Sequence, residues 1–258
     1  MRLMKRILSA AAVLALSASL LVGCSSGTAS SVPVSASSAA ESTVSSVEET
    51  ASSAVDENEA AAAQLLNDLT GSYQELWPVI LADEYQQTWL DDCTALVGEE
   101  NAEAAFEKLS SMVTGDVYGE DAVEAYANGG GAYFCGFTNS LATLTFDGET
   151  STISGTDKDG NVLFSHTYHY IGMEPVHGLY EFESDDADSG EFTYFFLAPD
   201  TSAETYHIEF RYGSDAEALS QYDTGEYAYW LASGISTDCD QTMIDNCIEL
   251  FCTENLAG

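Results

Sequence analysis

The sequence has almost no positive charge. Lys and Arg together number 6 against 43 Asp and Glu, a formal net charge of −37. Arg2, Lys5 and Arg6 sit at the very start, and only Lys108, Lys158 and Arg211 follow. From residue 24 onward three cations therefore face all 43 acids, a net charge of −40. A surface of that sign repels nucleic acid and anionic lipid, so neither is expected as a partner. It attracts cations weakly and everywhere, and its simplest role is solubility. Catalytic signatures are missing too. There is no P-loop, dinucleotide fingerprint, Gly-x-Ser-x-Gly, His-Glu-x-x-His or Cys-x-x-Cys. No enzyme reading has a specific basis, and the chain is expected not to be one. The one long apolar run, Ile7 to Val22, is too short and too early for a stable spanning helix.

That run has a purpose of its own. Basic residues precede it, and Leu21-Val22-Gly23-Cys24 ends it. Small residues before a cysteine form the bacterial lipoprotein cleavage pattern. Residues 1–23 are thus expected to be a lipoprotein signal peptide. Cys24 would be the first mature residue and carry a lipid anchor on the outer side of the cytoplasmic membrane. Residues 24–61 are mostly Ser, Ala, Thr, Val and Glu, with one proline, Pro33, and no aromatic side chain. Such a segment cannot bury enough apolar surface to offset its ordering entropy, which predicts a disordered tether. Residues 62–258 are long enough for one domain with a sizeable core.

Beyond Cys24 the cysteines are Cys93, Cys135, Cys239, Cys247 and Cys252. An odd number leaves at least one thiol unpaired in a monomer. Cys247 and Cys252 lie five apart on one expected helix, poor geometry for a bridge. A thiolate zinc site from Cys239, Cys247 and Cys252 is a conceivable use of three of them.

Periodicity predicts helices over 62–69, 84–96 and 102–113, with Leu65, Leu66 and Leu69 sharing the first apolar face. Tyr73, Leu76 and Trp77 extend an aromatic patch, and Pro78 interrupts or restarts the helix. After Asn128 the pattern changes. Strands are expected over 141–146, 151–155, 161–171 and 178–183. Asp147-Gly148 and Asp157 to Gly160 mark the first turns. Successive hairpins indicate an antiparallel meander, and closure would remove its exposed edges. A short helix over 214–220 and a longer one to about Cys252 end the chain. Thr237 or Asp238 is the expected cap of the latter, and Met243, Ile244, Cys247, Leu250 and Phe251 its inward face.

The stretch Glu191–Asp215 carries the most chemistry. It reads as a strand over 192–197, a break at Ala198-Pro199-Asp200, and a strand over 204–212. In the second strand Tyr206, Ile208, Phe210 and Tyr212 point one way, and Thr205, His207, Glu209 and Arg211 the other. His207 and Glu209 share a face with bases roughly 7 Å apart, close enough to converge on one ion. Asp200 can fold back as a third donor. The bland alternative is a solvated face with a Glu209–Arg211 pair.

This stretch resembles the ZinT/YodA family of zinc-binding proteins, found also as the C-terminal domain of AdcA-type zinc lipoproteins. The resemblance rests on Gly190-Glu191-Phe192-Thr193-Tyr194, Pro199-Asp200, His207-Ile208-Glu209 and Tyr212-Gly213-Ser214-Asp215. Gly71 to Pro78 matches the family's aromatic opening, and Tyr180 to Glu183 its run into the metal strand. The resemblance implies a β-rich α+β fold: a calycin or lipocalin-like antiparallel barrel with flanking N- and C-terminal helices. It also implies a metal site at Asp200, His207 and Glu209, with two of three family histidines replaced by carboxylates. Zinc is the first expectation, another divalent cation the second. His166, His169 and His177 are the available fourth ligands. His166 and His169 lie three apart on one strand and so face opposite ways. The resemblance implies metal capture, with possible delivery to a metal ABC transporter. Two alternatives remain open: a carrier holding a small apolar ligand among the barrel's aromatic residues, and a tethered interaction module without metal.

Overall fold

The computed structural model describes residues 57–198 and 207–257. Eight antiparallel strands pair in sequence order and close on themselves: β1 (Gly71–Glu75), β2 (Thr143–Asp147), β3 (Thr152–Thr156), β4 (Val162–Met173), β5 (Tyr180–Ser184), β6 (Tyr194–Leu197), β7 (His207–Gly213) and β8 (Ala232–Ser236). The barrel with flanking helices is the fold class expected from sequence. Closure differs in one respect. Gly71–Glu75, read from sequence only as part of an aromatic patch, is a strand, and it pairs with both β2 and β8. Helix α2 (Leu76–Ile80) follows directly. Pro78 is its third residue, where a proline's missing N–H costs no intrahelical bond.

Alternation sorts the strands into two cores. Tyr73, Leu144, Phe146, Ile153, Phe164, Tyr168, Phe182, Phe195, Phe210 and Tyr212 are buried inside the barrel. Their rings touch: Phe164 stacks on Phe192 at 4.0 Å, and Tyr168 meets Phe195 edge-on at 5.4 Å. The helix α1, residues 57–68, lays Ala62, Leu65 and Leu66 on this core. It includes residues 57–61, which composition alone assigns to the tether.

A second core lies outside the barrel wall. Helices α2, α3 (Gln86–Val97), α4 (Ala102–Val113) and the C-terminal α7 (Gln241–Leu256) pack Trp77, Trp89, Leu109, Ile248 and Phe251 together, with Ile235 projecting outward from β8. Trp89 Nε1 donates to the Ile80 carbonyl at 2.7 Å. Between them runs α5 (Glu120–Ala127), and α6 (Ala216–Leu219) follows β7. The cap of α7 is Asp240, which accepts from Met243 N at 3.0 Å. Thr237 is instead occupied as the residue after β8, its N–H bonded to Ser72 O at 2.8 Å. Of the expected inward face, Met243 and Leu250 are only half-buried, while Ile248 and Cys252 are buried as well.

Contact between α1 and the barrel runs through Gly148. A Cβ there would lie 2.4 Å from Asn67 Cα and 2.6 Å from the Leu66 carbonyl oxygen. Both are backbone atoms, so the helix itself must move. Gly148→Ala is expected to cost about 1–3 kcal/mol, read as a lowered midpoint in thermal melts. An unchanged midpoint would show that α1 does not rest on this turn.

Candidate metal centre

β7 is where the chemistry sits, and its alternation places it. Ile208, Phe210 and Tyr212 fill the barrel, so His207, Glu209 and Arg211 project outward. His207 pairs across to Ile235 and Glu209 to Ser233. Ile235 belongs to the second core with Ile244, Cys247 and Ile248 of α7. The outward face of β7 is therefore covered rather than solvated. This cover changes the chemistry of His207. Burial lowers its pKa from the ordinary 6.5 to about 4, because a cation is poorly solvated there. The imidazole is neutral at neutral pH, with a ring nitrogen able to bind metal. Titration near 6.5, the ordinary expectation for an exposed ligand, does not hold for it.

Glu209 brings a carboxylate into the same covered layer. It acts on two thiols. Burial first, and the Glu209 charge second, push Cys247 up to about 12 and raise Cys135 further. Without a metal these thiols stay protonated. Among the described residues no group of three or more His, Cys, Asp or Glu is arranged to hold a metal. Cys239, Cys247 and Cys252 are thus not gathered into a site. Asp200 lies outside the described residues, as does Cys24. Two of the three expected donors are brought to one face.

Arg211 does something the sequence did not suggest. It is fully buried. Its guanidinium donates to the carbonyls of Leu219, Gln221 and Tyr227, and lies 4.2 Å from the centre of the Tyr222 ring. The fork ties the segment after α6 to the barrel wall. The available signal was the rarity of the residue: an arginine amid aromatic neighbours in so acidic a chain.

The other histidines are engaged elsewhere. His166 and His169 do face opposite ways. His166 pairs with Ile153 on the inward face, while His169 is exposed. Each ring holds a carboxylate at 2.8 Å, Asp186 for His166 and Asp185 for His169. The acidic run after β5 is thus organised by two histidines. Register puts His169 level with Gly213 through Glu183 and Tyr194. Gly213 is six residues along β7 from His207, about 20 Å at ~3.3 Å per residue. Neither His166 nor His169 can reach a metal at His207. His177 Nδ1 sits 3.3 Å from Glu174 Oε2, and its ring packs on Tyr222 at 3.8 Å.

Two solved structures are similar to the chain in fold. The chain is similar to the Zn(II)-bound ZinT-like domain of Streptococcus pneumoniae AdcA. The match covers 71% of this chain and 89% of that one, at 16% identity and a TM-score of 0.45. A second similar structure is Zn(II)-bound AdcA from the same organism, at 14% identity and a TM-score of 0.43, covering 72% of this chain. The match spans only 35% of that AdcA chain. No family model matches the sequence, and no curated protein does. The likeness is one of fold.

Proposed function

We propose that this chain captures a divalent metal ion, zinc first, at a site built from His207, Glu209 and Asp200, and holds it outside the cytoplasmic membrane. The observation that carries this reading is the pairing on β7. A neutral, covered imidazole and a carboxylate share one face two residues apart. This donor set fits zinc, which accepts imidazole nitrogen and carboxylate oxygen in tetrahedral sites. With two oxygen donors in place of nitrogen, manganese and calcium are better tolerated than in an all-histidine site. Asp200 would complete the site from the connection before β7, and water would fill an open position. Delivery to a metal ABC transporter is the use a tethered metal carrier serves. No catalytic role is proposed.

The carrier of an apolar ligand is the weaker reading. The inward aromatic residues pack on one another as core. One cleft of about 330 Å³ lies outside the barrel core, lined by Glu75, Trp77, Val113, Phe134 and Cys135.

Calorimetric titration with zinc at moderate salt tests the metal reading. One saturable site is expected, weakened in Asp200→Ala and Glu209→Ala. Diffuse attraction to a surface of this charge would instead be many-sited and lost with salt. That outcome would remove the site. Tethering is tested separately. Among the described residues no helix is long and apolar enough to cross a membrane; the proposed lipid anchor at Cys24 rests on Leu21-Val22-Gly23-Cys24. A fatty-acid probe should label the wild type in cells and not Cys24→Ala; equal labelling of both would refute the lipid.

A further inference from the structure

We propose that Cys93 and Cys252 form a disulfide that staples α3 to α7. The two sulfurs are 4.0 Å apart, in contact across the helical layer. Both thiols are fully buried. Cys93 lies one turn after Trp89, and Cys252 follows Phe251, whose ring meets Trp89 edge-on at 6.0 Å. The helices are thus locked in register at this point by a large aromatic contact. A disulfide bond is about 2.05 Å long, so closure requires roughly 2 Å of approach shared by two side chains. The remaining thiols are placed differently. Cys135 lies against Trp77 and Ser233, and Cys247 with Cys135 in the field of Glu209. Of the described thiols, this pair alone has its sulfur–sulfur contact within 4.0 Å.

Burial also fixes when the bond forms. No oxidant reaches either sulfur in the folded protein, and burial raises both thiols, making thiolate scarce. Exchange must therefore precede closure of the helical layer. A thiolate of the unfolded chain attacks a small disulfide such as oxidised glutathione and expels one glutathione thiolate. The second cysteine, deprotonated in turn, attacks the mixed disulfide and expels the other. The net change is two protein thiols and one glutathione disulfide to one protein disulfide and two glutathione thiols. Folding then selects the pair in contact. In the cell this needs an oxidising compartment, and so rests on the export reading. In vitro it does not.

The test is refolding. The full chain carrying Cys24→Ser is denatured, reduced and refolded with reduced and oxidised glutathione, then alkylated in denaturant and mapped by mass spectrometry. The expected result is a linked peptide pair containing Cys93 and Cys252 in most molecules, with Cys135, Cys239 and Cys247 alkylated. The bond closes a loop of about 160 residues, so protein refolded in dithiothreitol throughout should melt about 10 °C below the oxidised protein. The shift should vanish in Cys93→Ala, or in Cys252→Ala if the first folds poorly. Five alkylated thiols, or any other pairing, would overturn the proposal. The map does not depend on zinc or export, so failure of the metal reading leaves it intact.

Discussion

Arg211→Met should lower the stability of the domain by about 3–5 kcal/mol, the cost of breaking a buried charged network. Wild-type Arg211 satisfies three carbonyls, those of Leu219, Gln221 and Tyr227, in a layer water does not enter. Methionine fills the volume but donates nothing. Each orphaned buried carbonyl costs about 1–3 kcal/mol before relaxation, and the contact with Tyr222 adds on the order of 1 kcal/mol. Against this stands the relief of a buried cation. Burial disfavours the cation on balance, lowering its pKa even against Tyr222, Tyr133 and Glu174, so this relief offsets part of the loss. Arg211→Lys keeps the charge but loses the planar fork, and an ammonium cannot span three carbonyls set around a guanidinium. It should lose about half as much. Urea unfolding followed by tryptophan fluorescence measures both, since Trp230 lies against Tyr227 at 5.8 Å. A loss under about 1 kcal/mol in Arg211→Met would show that the segment after α6 is held by packing alone.

The barrel was legible in part because its turns are written in side-chain chemistry. Asp157 accepts from the N–H groups of Asp159 and Asn161, fixing the β3–β4 turn where Asp-Lys-Asp-Gly-Asn predicts it. β8 was not legible. Ala232, Ser233, Gly234 and Ile235 are all buried, and two-sided burial erases alternation. β1 was hidden differently. Gly71-Ser-Tyr-Gln-Glu is short and bears few strand formers, and its pairing with β2 and β8 is what makes it a strand. The helix α5 has only eight residues and one fully buried side chain, Ala122, so no periodic signal emerges. At the candidate site the alternation of β7 was readable, and the shared face of His207 and Glu209 follows from it. What covers that face was not. Helix α7 and the 133–136 segment arrive from distant parts of the chain, and no local pattern announces them. The Glu209–Arg211 surface reading fails because Arg211 is buried and turns to backbone carbonyls, while His207 and Glu209 are partly covered.

That cover sets the behaviour of His207, whose replacement by alanine should abolish the zinc site and reshape the acid limb of stability together. An unfolded chain protonates this imidazole near 6.5; the folded one resists until about 4. The folded pKa is the lower one. As pH falls from 6.5 toward 4 the unfolded state gains a proton that the native state does not, and stability drops. It is fully present above 6.5 and fully lost below 4. At pH 4.5 the loss is about 2–3 kcal/mol, taking 1.36 kcal/mol per unit. Wild type compared at pH 7 and 4.5 should show that fall on top of any carboxylate contribution, and His207→Ala should show a fall smaller by that amount. Zinc binding follows the same titration. A neutral imidazole persists to pH 5, so a zinc isotherm is expected there, where an ordinary histidine would already be protonated. Zinc at a hundredfold over its Kd should raise wild-type stability by about 2.7 kcal/mol and leave His207→Ala unmoved. If His207→Ala binds zinc like the wild type while its acid limb flattens, His207 is a buried core histidine and the metal assignment fails. If zinc binding is lost but the acid limb is unchanged, the ligand assignment stands and the depressed pKa does not.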